Sequence, residues 1–204
     1  MYSILSNTIR QLNWTKIEAS ERRKTLAPLI AFIQDSLNHR QQIQLLFICT
    51  HNSRRSHLSQ VWAQVAAAYF GIPQMLCYSG GTEETALSPT VVETLSLQGF
   101  VTFTIHAGNN PVYAIKYKDN HAPIIGFSKR YDSLFNPVSA FAAVMTCEHA
   151  DAGCPFIAAA DKRISITYED PKHSDNTPEQ FQVYLERSLQ IAEEMFYVCS
   201  KINT

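Results

Sequence analysis

Residues 49 to 56 combine a cysteine, an arginine six positions later and a serine, an order suited to binding a tetrahedral anion. The segment reads Cys49-Thr50-His51-Asn52-Ser53-Arg54-Arg55-Ser56. A short loop before a helix can direct successive backbone N–H groups at one point, and the helix N-terminus adds partial positive charge. Arg55 can hold two oxygens of the anion side by side. The spacing therefore predicts an oxyanion-binding loop, Thr50 to Arg55, with the Cys49 sulfur beneath the anion.

The same groups would make Cys49 a nucleophile. Converging N–H groups and a neighbouring guanidinium keep a thiol ionised at neutral pH, and Ser56 can donate a further hydrogen bond to the sulfur. Asn52 suits a tight loop because asparagine tolerates the left-handed backbone region. The alternative interpretation is a buried cysteine at a strand end beside a solvated arginine, and the flanking elements decide between the two.

The elements around this loop alternate between strands and helices. Strands are predicted at 43–49, 75–78, 101–105, 141–146 and 164–168, and helices at 55–70, at 88–99 and from 177 onward. Such alternation is typical of a parallel sheet with helices on both faces. The loop then lies where a strand passes into a helix, at the edge of the sheet where open α/β folds bind ligands.

Two segments fall outside this alternation. Residues 1–40 carry an apolar stripe at helical spacing, typical of packing or of dimerisation, and leave a homodimer open. Residues 108–131 have the pattern of an inserted hairpin. We therefore divide the chain into a helical N-terminal extension, 1–40, and a catalytic domain, 41–204.

Composition excludes several classes of function. The net charge is −1, so no overall positive field draws the protein to nucleic acid or to an anionic membrane. No apolar stretch has the length of a signal peptide or a membrane span, which predicts a cytoplasmic protein. Five cysteines in 204 residues do not suggest a disulfide framework. Of these, Cys77 and Cys199 lie on apolar patterns and are predicted to be core residues.

The stretch 47–56 resembles the low-molecular-weight protein tyrosine phosphatase superfamily and, within it, the thioredoxin-coupled arsenate reductases. The resemblance covers roughly 43–200 and rests on four pieces in the family's order: the loop 49–56, Ser79-Gly80-Gly81-Thr82, Cys147-x6-Cys154-Pro155 and Asp170-Pro171. It implies a flavodoxin-like three-layer sandwich with a four-stranded parallel sheet, here with an inserted hairpin and N-terminal helices.

The resemblance also implies roles for individual residues. Cys49 would be the nucleophile, Arg55 the clamp on the oxyanion, Ser56 a stabiliser of the thiolate and Asp170 the general acid. A carboxyl group on a facing loop can protonate a leaving oxygen. Without the resemblance, Asp170-Pro171 would be interpreted as a plain turn.

Cys147 and Cys154 bear on which reaction follows. By resemblance, Cys147 attacks the Cys49 sulfur, Cys154 resolves the resulting disulfide, and thioredoxin reduces the product. The alternatives are two incidental thiols, or a zinc site formed by Cys147, His149 and Cys154, which lacks an evident fourth ligand. We predict no resident cofactor and no metal, and Gln60 stands where some reductases have an acidic residue for a potassium ion.

These observations favour reduction of arsenate to arsenite by a cysteine nucleophile and a thiol relay. The alternative is hydrolysis of phosphate monoesters through a phosphocysteine, which would need water and not a second thiol. A third interpretation is an oxyanion sensor or thiol switch that binds the anion without turnover.

Overall fold

A computed structural model describes residues 1–153 and 156–204 as an α/β protein. The helices are α1 (Ser3–Gln11), α2 (Arg22–Asn38), α3 (Arg55–Phe70), α4 (Pro89–Leu97), α5 (Glu148–Gly153) and α6 (Gln180–Ser200), with 3₁₀ turns at Trp14–Ala19 and Pro171–Ser174. The strands are β1 (Ile43–Cys49), β2 (Met75–Gly81), β3 (Val101–His106), β4 (Val112–Lys116), β5 (Ile124–Gly126), β6 (Phe141–Met145) and β7 (Ala160–Ser165). None of the helices in these ranges is long and apolar enough to span a bilayer.

Four strands form the central sheet, in the order β2-β1-β6-β7, and all of them are parallel. β1 lies between β2 and β6, and nearly every residue in it is buried, as expected for a strand covered on both faces. Its register pairs Cys49 with Gly81 on β2, so the end of β1 lies beside the Gly-rich end of its neighbour. The predicted fold class is therefore confirmed.

One strand assignment within that prediction was wrong. Residues 101–105 were expected in the parallel sheet, but β3 pairs antiparallel with β4, and β4 with β5, in a separate three-stranded sheet. β3 is exposed along almost its whole length, with Phe103 51% and Ile105 55% accessible. A strand in the middle of a parallel sheet would be buried on both faces. The inserted hairpin, which has the predicted form, therefore pairs with β3 outside the central sheet.

The side chains of β1 alternate between two apolar layers. Leu45 and Phe47 belong to the main core, which includes Trp62 of α3 and Phe196 of α6. Leu46 and Ile48 face a smaller cluster that contains Cys49, Cys147 and Ala150 of α5. The sheet thus has helices on both faces, and the two cysteines lie in the smaller layer.

The N-terminal helices pack into the main core. Leu5 and Ile9 of α1 and Leu29 of α2 are 0–1% exposed and belong to the same apolar cluster as β1. Arg22 at the start of α2 donates two hydrogen bonds to Glu194 of α6, and its guanidinium also donates to the carbonyl of Thr167 at 3.0 Å. The division at residue 40 stays a prediction, since residues on both sides of it share one core.

Candidate active site

The loop between β1 and α3 has its carbonyl groups directed outward. Each carbonyl from Thr50 to Ser53 accepts a hydrogen bond of 2.8–3.0 Å from outside the loop. The donors are, in order, the N–H of Glu83, the hydroxyls of Thr85 and Ser128, the ring of His57 and the N–H of Ser88. Since the N–H and C=O of a trans peptide point in opposite directions, the intervening N–H groups point into the loop.

Those N–H groups are available for a ligand. Among the described residues, no backbone N–H from Thr50 to Arg54 donates a hydrogen bond. Backbone donors without partners are rare inside proteins unless they bind a ligand or water. This arrangement is what the sequence predicted for an oxyanion-binding loop, with Thr50, His51, Asn52, Ser53 and Arg54 contributing through their backbones.

Asn52 holds the shape of the loop. Its backbone is left-handed, with φ of 43°, as expected for an asparagine in a tight loop. Its side-chain amide donates to the Ser56 hydroxyl at 2.8 Å, and its carbonyl oxygen Oδ1 accepts the N–H of Lys129 at 2.9 Å. Asn52 thereby connects the loop both to the start of α3 and to the segment that follows β5.

The Cys49 sulfur lies at the base of this loop. Cys49 is the last residue of β1 and is 3% exposed. Its Sγ is 3.2 Å from the hydroxyl of Ser56, the second residue of α3. The Ser56 hydroxyl already accepts from Asn52, so its own proton can be donated to the sulfur. The predicted thiolate stabiliser is in contact with the predicted nucleophile.

The loop leaves no room for a side chain on the neighbouring strand end. A Cβ on Gly81 would lie 2.5 Å from the carbonyl oxygen of Glu83 and 2.7 Å from both the Thr50 oxygen and the Asn52 nitrogen. All three are backbone atoms, which cannot move aside without distorting the loop. Glycine at position 81, the end of β2, is therefore required by the close approach of β2 to the anion loop.

Gly81→Ala is expected to weaken phosphate binding at least tenfold and to lower the free energy of unfolding by about 1–3 kcal/mol, the range for overpacked sites. The measurements are isothermal titration with inorganic phosphate and urea unfolding. Gly153→Ala serves as the control, because its added methyl group would meet nothing within 4 Å. Unchanged phosphate affinity in Gly81→Ala would contradict the described loop geometry.

Arg55 is held by the segment that follows β7. One terminal nitrogen donates to the carbonyl of Tyr168 at 3.0 Å, and the other forms an ion pair with the Asp170 carboxylate. The third nitrogen, Nε, is buried and has no partner among the described residues. A buried guanidinium with a spare donor beside unpartnered N–H groups suits an anion.

Asp170 accepts the N–H of Lys172 with its other carboxylate oxygen, at 3.1 Å. It therefore caps the 3₁₀ turn Pro171–Ser174 while it pairs with Arg55. The structure brings the predicted acid to the predicted anion clamp.

The Arg54 side chain points away from this cluster. Its guanidinium donates to the Asp175 carboxylate at 2.7 Å and to the Tyr184 hydroxyl at 2.5 Å. That tyrosine in turn donates to Asp175 at 2.6 Å. Of the two adjacent arginines, only Arg55 contacts the acid, and the predicted contribution of Arg54 to the oxyanion site is limited to its backbone N–H.

Cys147 lies against the anion loop. Its sulfur is 3.5 Å from the hydroxyl of Thr50, the residue after Cys49, and 3.4 Å from the N–H of Ala150 in α5. It is fully buried in the apolar cluster that also contains Cys49. The second predicted thiol therefore contacts the residue that follows the first. Its predicted partner Cys154 lies outside the described residues.

The other two cysteines are core residues, as predicted. Burial raises the pKa of Cys199 to about 12 and holds the pKa of Cys77 well above its usual range. A thiol in such a site stays protonated and unreactive at neutral pH. The described residues contain no group of three or more metal-ligating side chains, and the zinc alternative, which includes Cys154, lies outside them in part.

Sequence reasoning missed two residues beneath the loop, His57 and Lys129. Both are buried, and His57 contacts the loop carbonyl of Asn52 at 3.0 Å. Burial, together with the charge of Lys129, lowers the pKa of His57 to about 3, so the ring is neutral. A histidine in the first turn of an apolar helix was a usable signal for His57. No local pattern marked Lys129, which the inserted segment brings in from far along the chain.

Comparison with solved structures places this geometry in a known architecture. A YwlE mutant from Bacillus subtilis superposes with a TM-score of 0.53 at 14% identity, over 78% of this chain and 97% of that one. The chain has the fold of the low-molecular-weight phosphotyrosine phosphatases. One such phosphatase, from Vibrio cholerae O395, matches with a TM-score of 0.51 at 11% identity, over 78% and 95% of the two chains.

The same fold is found in a reductase. An arsenate reductase in the phosphate-binding state matches with a TM-score of 0.50 at 16% identity, over 79% of this chain and 99% of the other. No protein-family model and no curated protein sequence matches the chain. Such distant likenesses establish the architecture, and function has to be argued from the site.

Proposed function

We propose that the protein reduces arsenate to arsenite, with Cys49 as nucleophile and Cys147 as the first thiol of a relay. The observation that carries the proposal is the contact of the Cys147 sulfur with Thr50, the residue after Cys49. Cys49 and Cys147 also belong to one buried apolar cluster. A phosphatase needs no thiol at that position. A reductase needs one within reach of the nucleophile.

In the first step the loop binds arsenate through its free N–H groups and Arg55. The Cys49 thiolate attacks arsenic, a sulfur–arsenic bond forms, and one oxygen leaves. The oxygen departs as water once it has taken up a proton, and we assign its delivery to Asp170 in its protonated form, which pairs with Arg55 as a carboxylate in the free protein. Positioned donors stabilise the negative charge that builds up on the oxygens.

In the second step the Cys147 thiolate attacks the Cys49 sulfur. A disulfide forms, the sulfur–arsenic bond breaks, and arsenic keeps the electron pair and leaves as arsenite. Arsenic gains two electrons and the two thiols lose two, so the step balances. Cys154 then attacks the Cys147 sulfur and frees Cys49, and external thioredoxin reduces the Cys147–Cys154 disulfide in the cytoplasm.

The lining of the cleft beside the loop also bears on the choice of substrate. It has a volume of about 440 Å³. Its lining is His51, Ser53, Arg54, Thr85, Ala86, Leu87, Ser88, Pro89, Thr90, Lys172, Asp175, Asn176 and Gln180. Within the described part of the chain this lining contains no Phe, Tyr or Trp ring to hold the phenyl group of phosphotyrosine. A polar cleft of this kind stabilises an aryl leaving group poorly.

Hydrolysis of phosphate monoesters is the second candidate, and the Arg55–Asp170 pair supports it. A carboxyl group at the clamp can protonate an ester oxygen and later activate water. The two activities share every residue of the first step. They differ in whether a thiol or water attacks the Cys49 adduct.

Cys147→Ser separates the candidates. In a reductase this substitution removes thioredoxin-dependent arsenate turnover by about 10³-fold or more, because a hydroxyl cannot carry out thiol exchange, and it leaves aryl phosphate hydrolysis unchanged. The measurements are thioredoxin-coupled oxidation of a nicotinamide reductant and release of an aryl alcohol.

Cys77→Ser is the matched control, a buried thiol in the neighbouring strand that should leave both rates as in the wild type. Arsenate turnover that survives in Cys147→Ser would exclude the relay. Phosphate binding without turnover of either substrate would point to a sensor.

A further inference from the structure

Lys129 carries a positive charge into the interior beneath the anion loop. The residue is 2% exposed and lies three positions after β5. Its N–H donates to the Asn52 side chain and its carbonyl accepts the N–H of Gly81, both at 2.9 Å. Its backbone is therefore tied to the loop and to the end of β2, which determines where the side chain enters.

The ammonium group has no anionic partner among the described residues. Its neighbours are the Ser79 hydroxyl at 3.5 Å and the Phe127 carbonyl at 3.4 Å. The rings of Phe127 and Phe135 lie 4.5 and 5.2 Å from it. Burial lowers the pKa of Lys129 to about 8, so the group is still charged at neutral pH. An unpaired buried charge is costly to fold around, which calls for a compensating role.

A hydrogen-bonded chain leads from this ammonium group to the loop. Lys129 donates to Ser79, whose hydroxyl is 3.2 Å from Nδ1 of His57. Nε2 of His57 must donate to the backbone carbonyl of Asn52, since a carbonyl only accepts. In the neutral ring Nδ1 is then the acceptor, and the Ser79 hydroxyl donates to it. Each donor in this half of the chain points away from Lys129.

The other half begins at the Lys129 backbone, whose N–H donates to Oδ1 of the Asn52 side chain. The Asn52 amide donates to Ser56, and Ser56 donates to the Cys49 sulfur 3.2 Å away. Aligned donors polarise one another. The first half ends at the Asn52 backbone carbonyl in the loop, and the other half favours negative charge at the Cys49 sulfur. The charged groups that face Lys129 are few, because His57 on α3 is neutral and its contacts on β2 and the 127–135 segment are a serine and two phenylalanines.

We propose that Lys129 is a positioning residue that places a fixed positive charge beneath the anion loop, where it favours the Cys49 thiolate and a bound oxyanion. A bound anion would supply the negative charge that the surroundings of Lys129 lack, acting across the loop and not by direct contact. The inference rests on the proposed role of the loop, and the experiment below separates failure of one from failure of the other.

Lys129→Met removes the charge and keeps a similar volume. We expect phosphate affinity, measured by isothermal titration at pH 7, to fall about tenfold, the scale of one partly screened charge interaction. The pH profile of Cys49 alkylation by iodoacetamide, followed by mass spectrometry, should move to higher pH. The thermal midpoint should stay the same or rise, because a buried unpaired charge is gone.

The wild type should also show a signature between pH 8 and 10.5. The pKa of Lys129 in the folded protein, about 8, lies below the ordinary lysine value of 10.5, so the unfolded chain binds more protons in this window. The contribution of Lys129 to the free energy of unfolding therefore rises with pH across it, while phosphate affinity falls as the ammonium group loses its proton. Cys77 and Cys199, whose pKa values are raised by burial, contribute with the opposite sign, so the Lys129 contribution is read from the difference between the wild type and Lys129→Met. Both Lys129 contributions should be absent in Lys129→Met.

Two further variants complete the test. Lys162→Met, an exposed lysine on β7, should bind phosphate as the wild type does, and Lys129→Arg should restore part of the lost affinity. Folded Lys129→Met with wild-type phosphate affinity and alkylation profile would overturn the proposal. Equal losses of affinity in the Met and Arg variants, with lowered stability, would show a packing role and overturn it too. If the wild type binds no phosphate, the anion site and this inference fall together.

Discussion

Cys49→Ser is expected to abolish both arsenate reduction and aryl phosphate hydrolysis, with a fall on the order of 10⁴-fold or more. A serine at the end of β1 fits the same space and can keep the hydrogen bond to Ser56. Its hydroxyl is not ionised near neutral pH, so no nucleophile is present. The loop that binds the anion is otherwise intact, and phosphate binding should persist.

The decisive comparison is between turnover and binding in the same preparation. Rates come from the thioredoxin-coupled and aryl phosphate assays, and phosphate affinity comes from isothermal titration. The free energy of unfolding should change by less than about 1 kcal/mol, as for other near-isosteric substitutions. Residual turnover above about one hundredth of the wild-type rate would show that Cys49 is not the nucleophile.

Arg55→Lys is expected to lower turnover by about 10²–10³-fold and to weaken phosphate binding, although the charge is kept. Lysine is a point charge and cannot span two oxygens side by side, as the guanidinium can. A lysine also has to reach the Tyr168 carbonyl, Asp170 and the anion from one nitrogen, whereas Arg55 contacts Tyr168 and Asp170 with two separate nitrogens and keeps a third without a partner among the described residues. Lower turnover and weaker phosphate binding in this variant would therefore show the importance of the guanidinium geometry, since the positive charge is kept.

The matched control for this substitution is Arg10→Lys, an exposed arginine on α1. It should leave both rates and phosphate affinity unchanged. Wild-type affinity in Arg55→Lys would mean that the anion is held by the backbone N–H groups alone. In that case Arg55 would serve mainly to position Asp170.

Much of the site could be predicted because its chemistry is local. The nucleophile, the arginine and the serine fall within eight consecutive residues, between a buried strand and an apolar helix. Strand and helix periodicities are properties of short windows, and the loop between them follows from where one ends and the other begins. Asn52 was identified for the same reason, since its left-handed backbone depends mostly on its own side chain.

The assignment of β3 shows that local sequence patterns predict a strand but not its pairing partner. Val101 to Ile105 has the composition of a strand, and it is one, but its partner is the inserted hairpin and not the parallel sheet. Composition determines that a segment is extended, whereas pairing depends on which other strand the chain brings beside it.

The amino-acid sequence by itself determined the reactive segment that contains Cys49, the two further candidate thiols, Cys147 and Cys154, and the α/β class. Only the tertiary structure decided that the loop N–H groups face inward, that Arg54 turns away to Asp175 and that Lys129 lies beneath the loop. These contacts join residues that are about 30 to 130 positions apart in the chain. Their physical cause is the path of the folded chain, which propensity and periodicity within a short window do not contain.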